Sequence, residues 1–256
     1  MLAARPEEHW ERLAQTDPYF AVLTDARYHR DDLTEAALQE FFRSGEERVS
    51  RVFETSRTRL DSAFRPERAL DFGCGVGRVT IPFAALSRSV VAVDASDAML
   101  RETRRNCDAR DVMNVETVPG NSALSKVSDS FDLIHSYIVF QHIPGREGES
   151  LLRKLIELLR QNGIGVLHFT YGERHGLVMR LLKWAQKSLP YAHEAMNLVR
   201  GRAPGSPLMQ MNCYSLDRVL GILQDTACDD CHLRFTRHGP YDGVMVFFRK
   251  RRSGAW

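Results

Sequence analysis

The chain has 256 residues, enough for one large α/β domain with additions. Hydrophobic residues make up 43% and charged residues 27%, with a net charge of +2, which argues against a disordered or nucleic-acid-saturated chain and names no partner. No stretch approaches about 18 consecutive apolar residues, charges interrupt the amino terminus where a secretory signal needs an apolar run, and five scattered cysteines suit reduced thiols. The expected location is cytoplasmic.

Residues 1–66 read as a helical segment, with Leu33, Ala37, Leu38, Phe41, Phe42, Val49, Val52, Phe53 and Leu60 recurring at helical spacing. From Arg68 the pattern changes to short apolar runs alternating with helices, as in βαβ units of a parallel sheet. Strands are expected at 68–72, 89–94, 114–118, 131–137 and 164–170, with helices starting near Gly77, Ala98 and Gly148 and the third stopping at Asn162-Gly163. The core is placed at residues 67–171 and a helical cap insertion at 172–212. Residues 213–256 supply a helix (215–224) and two strands (231–238, 243–249) that complete the sheet. Gly239-Pro240-Tyr241-Asp242-Gly243 forms the turn between those strands.

The first strand runs into Asp71-Phe72-Gly73-Cys74-Gly75-Val76-Gly77, a turn that lets a ligand approach bare backbone at a helix entrance. A dinucleotide fingerprint would need glycine where this chain has Arg78, which makes NAD the minor alternative. The second strand ends on Asp94, a carboxylate able to accept from both hydroxyls of a ribose.

Together, D-F-G-C-G-V-G and V-A-V-D-A-S-D-A-M-L resemble the first two motifs of class I, Rossmann-like S-adenosylmethionine-dependent methyltransferases of the small-molecule type, a likeness running from about Arg68 to Thr170. The resemblance implies a three-layer, doubly wound, mostly parallel seven-stranded sheet covered by the N-terminal helices and the cap. It also implies S-adenosylmethionine as cofactor, leaving S-adenosylhomocysteine. The methionine part would lie over Gly73, Gly75 and Gly77, the ribose at Asp94, and the adenine near Ala95 and Met99. Asp71 and Ser122 join that set, and Asn121 stands where the family usually has an aspartate facing the adenine amino group. An amide oxygen can still accept there. After the fourth strand, Ser136, Tyr137, Gln141 and His142 fall at the sheet edge where ligands of open α/β sheets sit. Ser136 and Tyr137 are assigned to the cofactor and Gln141 to the acceptor.

Methyl transfer to a hydroxyl needs an aligned acceptor and a group to take its proton, and His142 is the candidate base, whereas His135, inside a strand, reads as core. Tyr19, Tyr28 and Tyr171 are candidate acceptor contacts, with Phe20, Phe41 and Phe42 as further lining. No Asn-Pro-Pro-Tyr motif, no Pro-Cys nucleophile and no acidic residue at 136 or 137 is present, so metal-independent transfer to oxygen is favoured, with nitrogen as the alternative acceptor atom. The expected acceptor is a small molecule, a glycan or a lipid-linked molecule. Residues 177–189 form a basic amphipathic stretch that reads as a cap helix, or alternatively as a weak membrane-surface contact. Nucleic acid is disfavoured as a partner. Two rival functions stay open, a non-catalytic S-adenosylmethionine-binding scaffold and an RNA or protein methyltransferase using the basic cap. Cys228-Asp229-Asp230-Cys231-His232 matches a haem-attachment pattern but is set aside because no export signal accompanies it, and no metal is expected.

Overall fold

A computed structural model describes residues 6–120, 124, 127, 130–174, 211–228 and 230–251. The cap stretch from 175 to 210, with the 177–189 segment inside it, as well as Asn121 and Ser122, lie outside the described residues.

Seven strands form one sheet in the order β3-β2-β1-β4-β5-β7-β6. They are β1 (Arg68–Phe72), β2 (Ser89–Asp94), β3 (Val115–Pro119), β4 (Phe131–Ser136), β5 (Leu159–Glu173), β6 (Asp230–His238) and β7 (Tyr241–Arg249). The first five pair in parallel, and β7 runs antiparallel to both β5 and β6. Order reverses between β1, which leads outward to β2 and β3, and β4, which starts the other wing. That switch point opens a crevice at the carboxyl ends of both strands, where α/β sheets bind ligands. The β6–β7 turn is tighter than the expected five-residue connection: only Gly239 and Pro240 separate the strands, with Gly239 at φ +57°.

The N-terminal segment holds α1 (Pro6–Thr16), α2 (Pro18–Val22), a short 3₁₀ turn (Ala26–Tyr28) and α3 (Glu35–Arg59). Thr34 caps α3 by accepting from the Ala37 amide at 3.2 Å. The helical spacing places Phe41, Phe42, Val49, Val52 and Phe53 on the buried face of α3. Val49, Val52 and Phe53 join Phe83, Leu133, Val166 and Phe247 in a core on one side of the sheet. On the other side α6 (Gly145–Leu158) presents Leu151, Leu152, Leu155 and Ile156 to β4, β5 and β7, backed by α7 (Leu216–Asp225). Each such buried side chain contributes about 1.5–3 kcal/mol of apolar burial.

Several boundaries differ from the sequence expectation. The helix α4 (Thr80–Leu86) begins at Thr80, not near Gly77, because Gly73, Gly75 and Gly77 adopt positive φ and hold the chain in a turn. In turn, α6 ends at Leu158, four residues before Asn162-Gly163. The Lys250 ammonium donates to the carbonyls of Ile156 at 2.7 Å and Leu159 at 2.8 Å, closing that helix end from a distant strand. Asn162, at φ +66°, serves as a bulge in β5 where the pairing with β4 shifts register.

Candidate active site

The crevice is walled by the β1 turn, the ends of β2 and β4, the loop after β4, and parts of α1 and α2. Its floor is backbone. Gly73 and Gly75 line it with φ of +76° and +57°, and a Cβ on Gly73 would sit 2.2 Å from Val139 Cγ2, whereas Gly77, at φ +86°, is not among the crevice residues and faces Thr103. A Cβ on Gly75 would sit 2.6 Å from Val22 Cγ2, so α2 closes directly over the turn. Glycine is required here both by backbone conformation and by close approach.

Asp94 ends β2 with its carboxylate fixed by two backbone donors, Gly75 N–H and Ser96 N–H, each at 2.9 Å. Burial pushes its pKa up to about 6 against the pull of those donors. Each oxygen retains a lone pair, the arrangement a ribose diol needs. Ala95, Met99 and Gly120 continue this wall. A glycine cradle, a fixed carboxylate and an apolar slot together fit the adenosine and methionine portions of the expected cofactor.

Asp71 also borders the crevice, but its carboxylate is engaged: Thr80 Oγ1 donates to it at 2.6 Å and His135 Nδ1 lies 3.0 Å away. Tyr137 lines the crevice as expected. Ser136 does not, since it is fully buried and donates to the Phe72 carbonyl at 2.9 Å, tying β4 to β1. His142 lines the crevice, with its ring 4.8 Å from that of Trp10. Gln141 lies behind it: Thr170 Oγ1 donates to the Gln141 amide oxygen at 2.9 Å, which turns the amide nitrogen toward His142 Nε2 at 3.1 Å. Gln141 therefore orients the histidine from the buried side.

The three tyrosines assigned to the acceptor are not among the crevice residues. The Tyr19 hydroxyl lies 2.8 Å from Glu102 and 3.0 Å from Asn106, anchoring α2 on α5 (Asp97–Asp108). Tyr28 packs edge-on against Phe41, in the same apolar cluster as Phe42. Tyr171, on β5, meets Phe235 with ring centres 6.0 Å apart. In each case the aromatic face finds a neighbouring apolar element before it reaches the crevice.

Residues absent from the sequence expectation complete the site. Trp10, Val22, Arg78, His135, Ile138, Val139 and Glu147 all line the crevice. Ile138 holds φ +61°, a costly backbone for a β-branched residue at the mouth of a site. On α1, the Glu11 carboxylate accepts from Ser96 Oγ at 2.6 Å and Ala98 N–H at 3.1 Å, capping α5. With Glu11 at Ser96 and Trp10 at His142, α1 bridges the cofactor side and the acceptor side of the crevice.

Among the described residues no group of three or more His, Cys, Asp or Glu is arranged to hold a metal ion, and no helix is long and apolar enough to cross a membrane. Cys228 is buried and Cys231 exposed, and neither forms a disulfide among the described residues.

Residues 69–163 match the family model of a methyltransferase domain. The 23S rRNA (uracil(1939)-C(5))-methyltransferase RlmD of Burkholderia pseudomallei is 29% identical over 119 residues, 46% of this chain and 26% of that protein. The chain thus spans about a quarter of the length of the curated relatives it matches. Among solved structures, magnesium protoporphyrin IX methyltransferase (ChlM) from Synechocystis PCC 6803 with bound SAM superposes with a TM-score of 0.60 at 16% identity, covering 98% of this chain and 99% of that one. The N-methyltransferase NodS from Bradyrhizobium japonicum WM9, in complex with S-adenosyl-L-homocysteine, gives 0.55 at 12% identity, covering 95% and 100%. The glycine turn, the Asp94 carboxylate and the strand order accompany the family match: residues 69–163 match a methyltransferase domain and lie in a sheet with the Rossmann-like fold of S-adenosylmethionine-dependent methyltransferases.

Proposed function

We propose that the protein transfers a methyl group from S-adenosylmethionine to an oxygen of a small-molecule, glycan or lipid-linked acceptor, without a metal, with His142 receiving the acceptor's proton. The observation that carries this reading is the shared crevice: the glycine turn, Asp94 and His142 face one space. The cofactor supplies an electrophilic methyl on a sulfonium. The chain's part is to align the acceptor, exclude water and take a proton. Ala95, Met99 and Gly120 flank the adenosine position, and Gly73 and Gly75 cradle the methionine portion, with Gly77 shaping the turn and Asn121 and Ser122 offered as further adenine contacts. Thr170 and Gln141 direct His142 so that Nε2 is the proton-accepting nitrogen. An incoming hydroxyl would compete with the Gln141 amide for that lone pair, while Trp10 packs against the ring and restricts water.

Carbon methylation through a covalent thiol adduct finds no support here. Cys74 is the cysteine on the crevice, and burial, followed by the nearby Asp94 and Asp71 charges, raises its thiol well above the ordinary value. The likeness to an rRNA enzyme therefore bears on the shared core, and the acceptor must be read from the rest of the site.

Calorimetric titration with S-adenosylmethionine and S-adenosylhomocysteine, repeated on Asp94→Ala, tests the reading. Binding of both that weakens in the variant supports it. Absence of binding by well-folded protein reduces it to a statement of fold and favours a non-catalytic scaffold.

A further inference from the structure

A row of cations lies outside the crevice, between α3 and the edge strand of the sheet. Among the described residues β6 pairs with β7 alone, and its His232 and Arg234 stand opposite Phe247 and Met245. Those two β7 side chains belong to the core under α3, so His232, Arg234, Thr236 and His238, alternating along β6, face the helix side of the sheet. On α3, Arg48, Arg51, Thr55 and Arg59 succeed one another at three- and four-residue spacing along one flank.

The two elements run side by side. At one end the Arg48 guanidinium lies 3.5 Å over the ring of Tyr137, whose hydroxyl is 3.0 Å from His238 Nε2. At the other, Arg249, the β7 partner of Asp230, donates to the Leu60 carbonyl at 3.4 Å and pairs with Asp61 at 3.0 Å, just past the end of α3. Six residues of strand, from His232 to His238, make the row about 20 Å long.

Charge along this row is unanswered. Arg51, Arg59 and Arg234 are exposed, and among the described residues neither they nor Arg48 form a salt bridge, whereas the flanking Arg237 and Arg249 pair with Asp242 and Asp61. Burial first, and then Arg59 and Arg234, lower His232; burial and then Arg48 lower His238. Burial also lowers Arg48, opposed by Tyr137 and reinforced by Arg51 and Arg234. The neighbours that act on these three groups are cations and one tyrosine, in a chain whose net charge is only +2.

We propose that the step between α3 and β6 binds the phosphodiester backbone of a single nucleic-acid strand through Arg51, Arg59 and Arg234, with Arg48 at its inner end. The row is linear and built on arginine, which suits consecutive phosphates and their paired oxygens. A bilayer would meet only the outer rim of such a step, and this face lacks apolar side chains to enter lipid: the exposed large ones are Leu86 on α4, Met113 before β3 and Phe235 on the opposite face of β6. The row ends at Tyr137, which also lines the crevice, so strand and crevice adjoin. Binding of this kind needs neither S-adenosylmethionine nor a methyl acceptor.

The test is fluorescence anisotropy of the full chain with a labelled oligouridylate of about twelve nucleotides, titrated between about 50 and about 200 mM salt. Three arginine–phosphate contacts give an expected slope of log K against log salt of about −2, or about a 20-fold loss across that range. Arg51→Ala combined with Arg234→Ala should bring the slope to about −0.7 and weaken binding at least about tenfold at the lower salt, with Tm unchanged. Arg88→Ala, at a side chain 84% exposed beside β2 on the far wing of the sheet, should leave affinity within about twofold. Absence of binding by folded protein at the lower salt overturns the proposal. So does a slope unchanged in the double variant, because another basic segment would then hold the strand. Vesicles containing about 30% phosphatidylserine should leave the protein in solution, and co-sedimentation that is lost in the double variant would make the occupant a membrane and equally overturn it. If the Tm of the double variant falls, Arg51→Gln alone decides, with an expected slope change of about 0.7.

Discussion

The two walls of the crevice are built on different plans. The cofactor wall comes from one continuous stretch, from β1 to the end of β3, and works mainly through backbone: three glycines at positive φ and one carboxylate held by two amides. The opposite wall draws on α1, the end of β4 and the loop after it, and α6, with Trp10, His135, Tyr137, His142 and Glu147 contributing side chains. A backbone cradle tolerates no Cβ but is indifferent to most distant changes. A side-chain wall depends on how separate elements dock, and it can be respecified without touching the cradle.

That contrast can be broken most severely at the cradle. Gly73→Val forces a β-branched residue into φ +76° with its Cβ 2.2 Å from Val139. We expect about 3 kcal/mol or more of lost stability and no measurable cofactor binding, checked by denaturant titration and calorimetry. On the acceptor wall, His142→Ala should leave cofactor affinity unchanged and lower turnover about 100-fold once an acceptor is in hand. Full activity in that variant would remove His142 as the base.

Asp94→Asn should weaken S-adenosylhomocysteine about 10-fold or more, since a neutral amide replaces a charged acceptor. It also has a pH signature. Burial raises the Asp94 carboxyl from 3.8 to about 6, so the folded state holds a proton that the unfolded state has released across that window. Stability from this group therefore falls as pH rises from about 4 to 6, whereas cofactor affinity should rise as the carboxylate forms near pH 6. Both trends should vanish in Asp94→Asn, read by Tm and calorimetry between pH 5 and 8.

Gly45→Ala joins the two walls, because the added methyl meets the Arg78 backbone. It should cost about 1–3 kcal/mol, read by denaturant titration. The smallest effect is expected at the strap: Glu11→Ala removes the cap on α5 and should cost about 1 kcal/mol, with faster amide exchange confined to α1 and the start of α5.

The same contrast explains what could be read in advance. The β1 turn, Asp94 and the five parallel strands follow local rules: apolar runs, alternating glycines, and a carboxylate at a strand end. The structure keeps them within a residue or two, except that β5 starts at Leu159 and the helix stop expected at Asn162-Gly163 is a bulge. There a distant residue, Lys250, supplies the helix cap that local signals could not reveal. Tyr19, Tyr28 and Tyr171 carry the chemistry of acceptor contacts but are not among the crevice residues: their rings meet apolar neighbours, and the Tyr19 hydroxyl bonds Glu102 and Asn106. His135, read as core, is buried as expected yet leaves one nitrogen turned to the crevice wall without a partner.

Sequence by itself determined the fold class and pointed to the proposed cofactor cradle and the region of the proposed base, because each rests on backbone conformation or spacing within a few dozen residues. Tertiary structure alone decided the opposite wall. Arg48 meets Tyr137, and Tyr137 meets His238, across 89 and 101 positions. No local periodicity encodes contacts of that range, and only the docking of α3 on the sheet brings Arg48 to Tyr137 and Ser44 to Arg78.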